Sequence, residues 1–208
     1  MAYTAIDDPE LFFNTVLYTG DGNNGRTVTG VGFSPDLTWL KSRSETEHHT
    51  WNDTVRGANK QLYSNLSYAE ATDTDRWQSF DSDGFTLGTD VIVNKDTETF
   101  VSWNWLAGSN AANTDGSINS TVSVNTTSGF SIVKWTGSGA NATVGHGLGA
   151  VPQMIITKNL DAGGANEAWS VYHNDVGSDG TVFWNCINSK NHPHNTFMDI
   201  QSHNQVLT

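Results

Sequence analysis

Phe13-Asn14-Thr15-Val16-Leu17-Tyr18-Thr19-Gly20-Asp21-Gly22 returns, 117 positions later, as Phe130-Ser131-Ile132-Val133-Lys134-Trp135-Thr136-Gly137-Ser138-Gly139. The same spacing, without a gap, carries Gly30, Gly32, Pro35 and Lys41 onto Gly147, Gly149, Pro152 and Lys158. Between these anchors Leu37 answers to Met154 and Trp39 to Ile156, so apolar positions stay apolar. After a three-residue insertion the spacing becomes 120, and Gly57, Leu62, Tyr63 and Asn65 match Gly177, Val182, Phe183 and Asn185. Self-similarity at a fixed period marks one structural unit used twice. The chain therefore divides into an N-terminal arm (1–10), a first β repeat (11–108), a linker with a turn and a strand (109–128) and a second β repeat (129–208). That second repeat reads as truncated: Gln205-Val206-Leu207 falls where Phe85-Thr86-Leu87 stands in the first, and the closing segment Thr99 to Leu106 has no counterpart.

Within each repeat the pattern is of short strands between turns. Leu37, Trp39 and Lys41 share one parity, and Met154-Ile155-Ile156 is a short apolar run between Pro152 and Lys158, so both segments read as core strands. Gly20 to Gly25 and Gly137 to Asn141 have the chemistry of turns, and Ile118 to Val124 alternates like an exposed strand. Only Glu10 to Leu17 and Tyr68 to Asp73 have a helical look. The expected fold class is all-β, in two tandem units of which the second is incomplete.

Composition narrows the function. The 208 residues include eight Trp, nine Phe and five Tyr, too many aromatics for a solvated coil. Ten Lys and Arg stand against 22 Asp and Glu, and a formal charge of −12 repels phosphate backbones and anionic lipid, so neither nucleic acid nor membrane insertion is expected. Cys186, the single cysteine, has no partner for an intrachain disulfide. The first residues lack the basic and apolar regions of a secretory signal, so we expect a soluble chain made in the cytoplasm.

Several motifs invite chemistry. Asp81-x-Asp83-Gly84 places alternate carboxylates on a loop, the oxygen-ligand chemistry of calcium, and a hairpin turn explains the same residues. His192-Pro193-His194 sets two imidazoles on one side of an extended segment, where a divalent metal on the axis of a threefold fibre would meet them. Otherwise no cofactor is expected. His146, between Gly145 and Gly147, has Thr29 as its repeat partner and reads as a structural hydrogen-bonding residue. Trp103 and Trp105 share a parity and read as core, whereas Trp51, Trp77 and Trp184 lie near turn-rich segments and are the candidates for stacking on carbohydrate. No nucleophile elbow or carboxylate pair framed as in glycosidases is visible, so no enzymatic activity is expected.

The opening Tyr3-Thr4-x-Ile6-Asp7-Asp8-Pro9 is followed by Pro35-Asp36-x-x-Trp39-x-Lys41, Asp53-x-Val55-Arg56-Gly57 and Ser82-Asp83-Gly84-Phe85-Thr86-Leu87-Gly88. Trp103-Asn104-Trp105-x-Ala107-Gly108, Asn113-Thr114-Asp115-Gly116-Ser117 and Thr143-Val144-Gly145-His146-Gly147-Leu148-Gly149 complete the set. Together they resemble virion structural proteins of marine tailed bacteriophages, tail-fibre-like components with tandem β domains compared with jelly-roll or lectin-like sandwiches. The resemblance implies a β-sandwich fold, a place in the virion, other virion proteins as partners and a host cell-surface glycan as ligand. A homo-oligomer, preferably a trimer, is expected from the missing strand and the abundant aromatics. Decoration of the capsid or neck without a ligand, and a tail-spike polysaccharide depolymerase, are the rival functions.

Overall fold

A computed structural model describes residues 6–164 and 167–176, together with the backbone of strands Val182–Phe183 and Asn204–Leu207. The strands of the first half are β1 (Phe13–Thr19), β2 (Arg26–Thr29), β3 (Leu37–Ser42), β4 (Thr50–Asp53), β5 (Lys60–Tyr63), β6 (Ala71–Thr72), β7 (Trp77–Asp81), β8 (Gly84–Leu87) and β9 (Thr99–Trp105). A single helical turn, α1 (Val91–Asn94), precedes β9 and is capped by the Asp90 carboxylate, which accepts the Ile92 N–H. The second half contributes β10 (Ala111–Asn113), β11 (Ser120–Asn125), β12 (Phe130–Thr136), β13 (Met154–Asn159), β14 (Ser170–His173), β15 (Val182–Phe183) and β16 (Asn204–Leu207). The chain is thus nearly all-β, its sheets antiparallel and none closed into a barrel.

Three sheets form three layers. A six-stranded sheet runs β1-β9-β3-β4-β5-β6, a three-stranded sheet β2-β8-β7, and a seven-stranded sheet β10-β11-β12-β16-β13-β14-β15. Side chains alternate across a strand, so each six-stranded face takes its own partner. Tyr18, Leu40 and Phe100 pack with Val28, Trp77, Phe85 and Leu87 of the three-stranded sheet. On the opposite face Leu37, Trp51 and Leu62 pack with Ile132, Ile156 and Val171 of the seven-stranded sheet. Burial on both sides explains why all four β4 residues are buried, a pattern unlike the alternation of a sheet with one wet face. It also forces polar residues inside: Thr38 donates through Oγ1 to Asn104 Oδ1 (2.9 Å), and Asn104 Nδ2 reaches Asn14 O (3.1 Å), tying β3, β9 and β1 across one row.

The two large sheets are built alike. Strands β12 and β13 begin 117 positions after β1 and β3, and β14 begins 120 after β4. Around β9 the pairs are Val16↔Ser102 and Leu40↔Ser102; around β16 they are Val133↔Leu207 and Thr157↔Leu207. Loop anchors recur as well. Lys41 Nζ donates to the carbonyls of Ser42 and Glu45, and Lys158 Nζ to those of Asn159 and Ala162. Gly30 and Gly147 have φ of +92° and +74°, a left-handed conformation that disfavours any other residue.

Four expectations are corrected. Glu10 to Leu17 is not helical: after a 3-10 turn at Pro9–Leu11 it becomes β1, because Val16 and Tyr18 face a core while Thr15, Leu17 and Thr19 face solvent. Tyr68 to Asp73 contains only the short β6. Ile118 to Val124 is not an exposed strand: β11 lies between β10 and β12, with Val122 and Ser123 buried. Last, Gln205–Leu207 does not take the place of Phe85–Leu87. It lies between β12 and β13, where it pairs with the facing backbone groups of both strands, as β9 does between β1 and β3. Among the described residues no helix is long and apolar enough to cross a membrane.

Candidate functional site

A cleft of about 570 Å³ opens where the six-stranded and seven-stranded sheets meet. Register builds its aromatic wall. Trp103, Trp39 and Trp51 are direct cross-strand neighbours on β9, β3 and β4, with Thr15 at one end of the row and Leu62 at the other. The rings of Trp39 lie 5.0 Å from those of Trp103 and 6.0 Å from those of Trp51. Trp51, Trp39 and Trp105 line the cleft from the six-stranded side; Phe130, Met154 and Ile156 line it from the other. Trp105 sits between Phe13 at 4.9 Å and Phe130 at 6.2 Å, so it joins the edge of one sheet to the other.

The mouth is apolar and wet, with Val151 79% and Met154 48% exposed. Among the described residues, Gln153, Thr126 and Ser131 are its polar side chains, and none of those lining it is titratable. Beside Trp39, at 6.4 Å, lies His49, its pKa lowered by burial and then by the charges of Lys41 and His48. A second hollow of about 600 Å³ shares Ala150, Val151 and Pro152 with the first and adds Asp115 and His146. His146 serves its own loop: Nδ1 accepts the Leu148 N–H (3.2 Å), and its carbonyl accepts Ser131 Oγ (2.6 Å). Flat aromatic faces around a concave space of this size suit a ring-bearing or apolar ligand, held by stacking and exclusion of water.

The residues expected to stack on sugar are placed differently. Trp51, 2% exposed, lies at the bottom of the cleft against Trp169 at 5.3 Å. Trp77 is wholly buried in the other core, stacked on Phe85 at 4.3 Å, and offers no ring face to a ligand. Both are pulled inward because the central sheet is covered on each side. Trp184, His192 and His194 lie outside the described residues. Trp39 and Trp105, which sequence reasoning passed over or assigned to the core, are the half-buried rings at the cleft. The available signal was the parity of Trp39 with Leu37 and of Trp105 with Trp103, but which face stayed partly open depended on the second sheet.

Asp81 and Asp83 do not converge on a cation position. Asp83 accepts the N–H groups of Gly30 (3.1 Å) and Gly32 (2.6 Å), which hold its pKa below the usual carboxylate range. Asp81 accepts Ser79 Oγ and Thr86 Oγ1. Among the described residues no three His, Cys, Asp or Glu side chains gather as metal ligands. The other motifs are anchors too. Asp36 joins the start of β3 to the end of β9 by accepting the Ala107 N–H (2.8 Å) and Thr54 Oγ1 (3.0 Å), and burial raises its pKa. Asp53 and Arg56 form a fully buried pair, Nε to Oδ2 at 2.5 Å, beside Gly57 at φ +103°.

Layered antiparallel sheets that enclose an aromatic cleft define a nearly all-β protein. The chain belongs to the family described as Domain of unknown function (DUF7483), which matches residues 8–208. No curated protein and no solved structure matches it.

Proposed function

We propose that this chain is a non-enzymatic structural protein of a bacteriophage virion, a fibre or surface appendage that supports adsorption through the cleft between its two large sheets. The observation that carries this reading is the row of cross-strand tryptophans, half-buried at Trp39 and Trp103, beside a cleft whose described lining is largely apolar and aromatic. The resemblance of the motifs to tail-fibre-like proteins supplies the setting. The finer architecture, two tandem sandwich-like units, is supported by equal strand order and register around β9 and β16. Many weak cleft contacts on one particle would give adsorption by avidity.

Two measurements test the reading. Antibody against the chain, visualised by electron microscopy, should label intact virions at their surface; label confined to lysed host cells would refute the virion assignment. Isolated chain should bind host-surface glycan, and Trp39→Ala with Trp105→Ala should weaken that binding by about tenfold or more, as loss of stacking on each ring predicts. Retained binding in that variant would remove the cleft from the proposal.

A further inference from the structure

We infer that the free edge of β1 pairs with β1 of a second copy of this chain, antiparallel, about a twofold axis at Thr15. The inference does not depend on the virion reading. Among the described residues β1 is the outermost strand of the six-stranded sheet. The Leu106 N–H donates to Phe12 O (2.8 Å) and the Gly20 N–H to Glu98 O (2.9 Å), so the even-numbered residues of β1 turn their backbone groups toward β9. By the alternation of an antiparallel ladder, Phe13, Thr15 and Leu17 turn theirs outward. All three are exposed.

Solvent-facing edges are ordinarily protected by charge, proline or a bulge. Phe13-Asn14-Thr15-Val16-Leu17-Tyr18-Thr19 has no charge and no proline, and its pairing with β9 is uninterrupted over all seven residues. Among the described residues the outward Thr15 N–H is met by its neighbour, Asn14 Oδ1 (2.8 Å), a contact that one side-chain rotation releases. The other large sheet shows what such an edge accepts: β12, begun 117 positions later, carries the antiparallel β11 on this same side, with Val122 opposite Val133 and Ser123 opposite Ile132.

A second β1 suits the vacant side because the strand is complementary to itself. With Thr15 on the axis, Phe13 of each copy lies opposite Leu17 of the other, and these side chains are 37% and 60% exposed in the single chain. Two six-stranded sheets then become one continuous sheet. The contact closes on itself, so it gives a dimer and not the trimer expected from the sequence. Each copy carries a formal charge of −12, so salt should strengthen the association by screening.

Sedimentation equilibrium of the whole chain from about 1 to 100 µM tests this, in low salt and in about 0.5 M salt. The expected result is a monomer–dimer equilibrium that tightens with salt. Leu17→Lys should raise its dissociation constant at least tenfold without changing the circular dichroism, whereas Val91→Lys, at a residue 53% exposed elsewhere, should not. A monomer throughout the range would overturn the inference, and so would a dimer indifferent to Leu17→Lys. A monomer in which the Thr15 and Leu17 amides exchange slowly would assign the edge to another segment of the same chain.

Discussion

Lys158 is 1% exposed, and its ammonium group holds the carbonyls of Asn159 and Ala162. Burial lowers its pKa to about 8, with the charge of Glu167 opposing the shift. An unfolded lysine keeps its proton to about pH 10.4, so between these values the unfolded chain binds more protons, and stability rises with pH. Between pH 7.5 and 9.5 the group should add about 1.5 kcal/mol, seen as a higher urea midpoint; Lys158→Met should flatten that slope. The Asp53–Arg56 pair behaves differently because both side chains are fully buried. Arg56→Met leaves a buried carboxylate without its cation and should cost about 3–5 kcal/mol, and adding Asp53→Leu should recover part of the loss. Thermal unfolding of the single and double variants checks it.

At the scale of strands, the core between the three-stranded and six-stranded sheets depends on Trp77 and Phe85. Trp77→Ala should lower stability by about 3–5 kcal/mol in denaturant titration, a larger loss than any single ring at the cleft mouth would cause. Strand existence was legible where a strand has one core face or a repeat partner: β3 and β13 were readable from Leu37, Trp39 and Met154 to Ile156. β1 was misread because Leu11, Phe12, Val16 and Leu17 mimic helical spacing, and nothing local reveals that Leu17 is 60% exposed while Tyr18 is 9% exposed. The candidate site was less readable. A tryptophan beside polar turn residues looks open in sequence, yet Trp51 and Trp77 are enclosed by sheets formed from distant segments. The cleft residues come from β3, β4, β9, β12 and β13 and from the loops that precede β12 and β13, and their convergence follows from the packing of two sheets.

For the molecule as a whole, the decisive contact is between the large sheets. Trp169 packs against Trp51 with its ring tilted, and its Nε1 donates to the carbonyls of Tyr63 (2.9 Å) and Leu66 (3.1 Å), so a residue of the second half completes the core of the first. A chain reduced to residues 11–108 would leave Leu37, Trp51 and Leu62 without their partners. It should bind a hydrophobic dye and aggregate, whereas the whole chain should unfold in one cooperative transition by both fluorescence and circular dichroism.

The placement of β16 also sets an order of events during synthesis. The six-stranded sheet has all its central strands once Trp105 has left the ribosome, but the seven-stranded sheet lacks an interior strand until Leu207 has emerged. At about 5–20 residues per second that interval is roughly 5–20 s. Throughout it the nascent chain displays a tryptophan-rich face with no finished sheet to cover it, the state in which a holding chaperone would find its substrate.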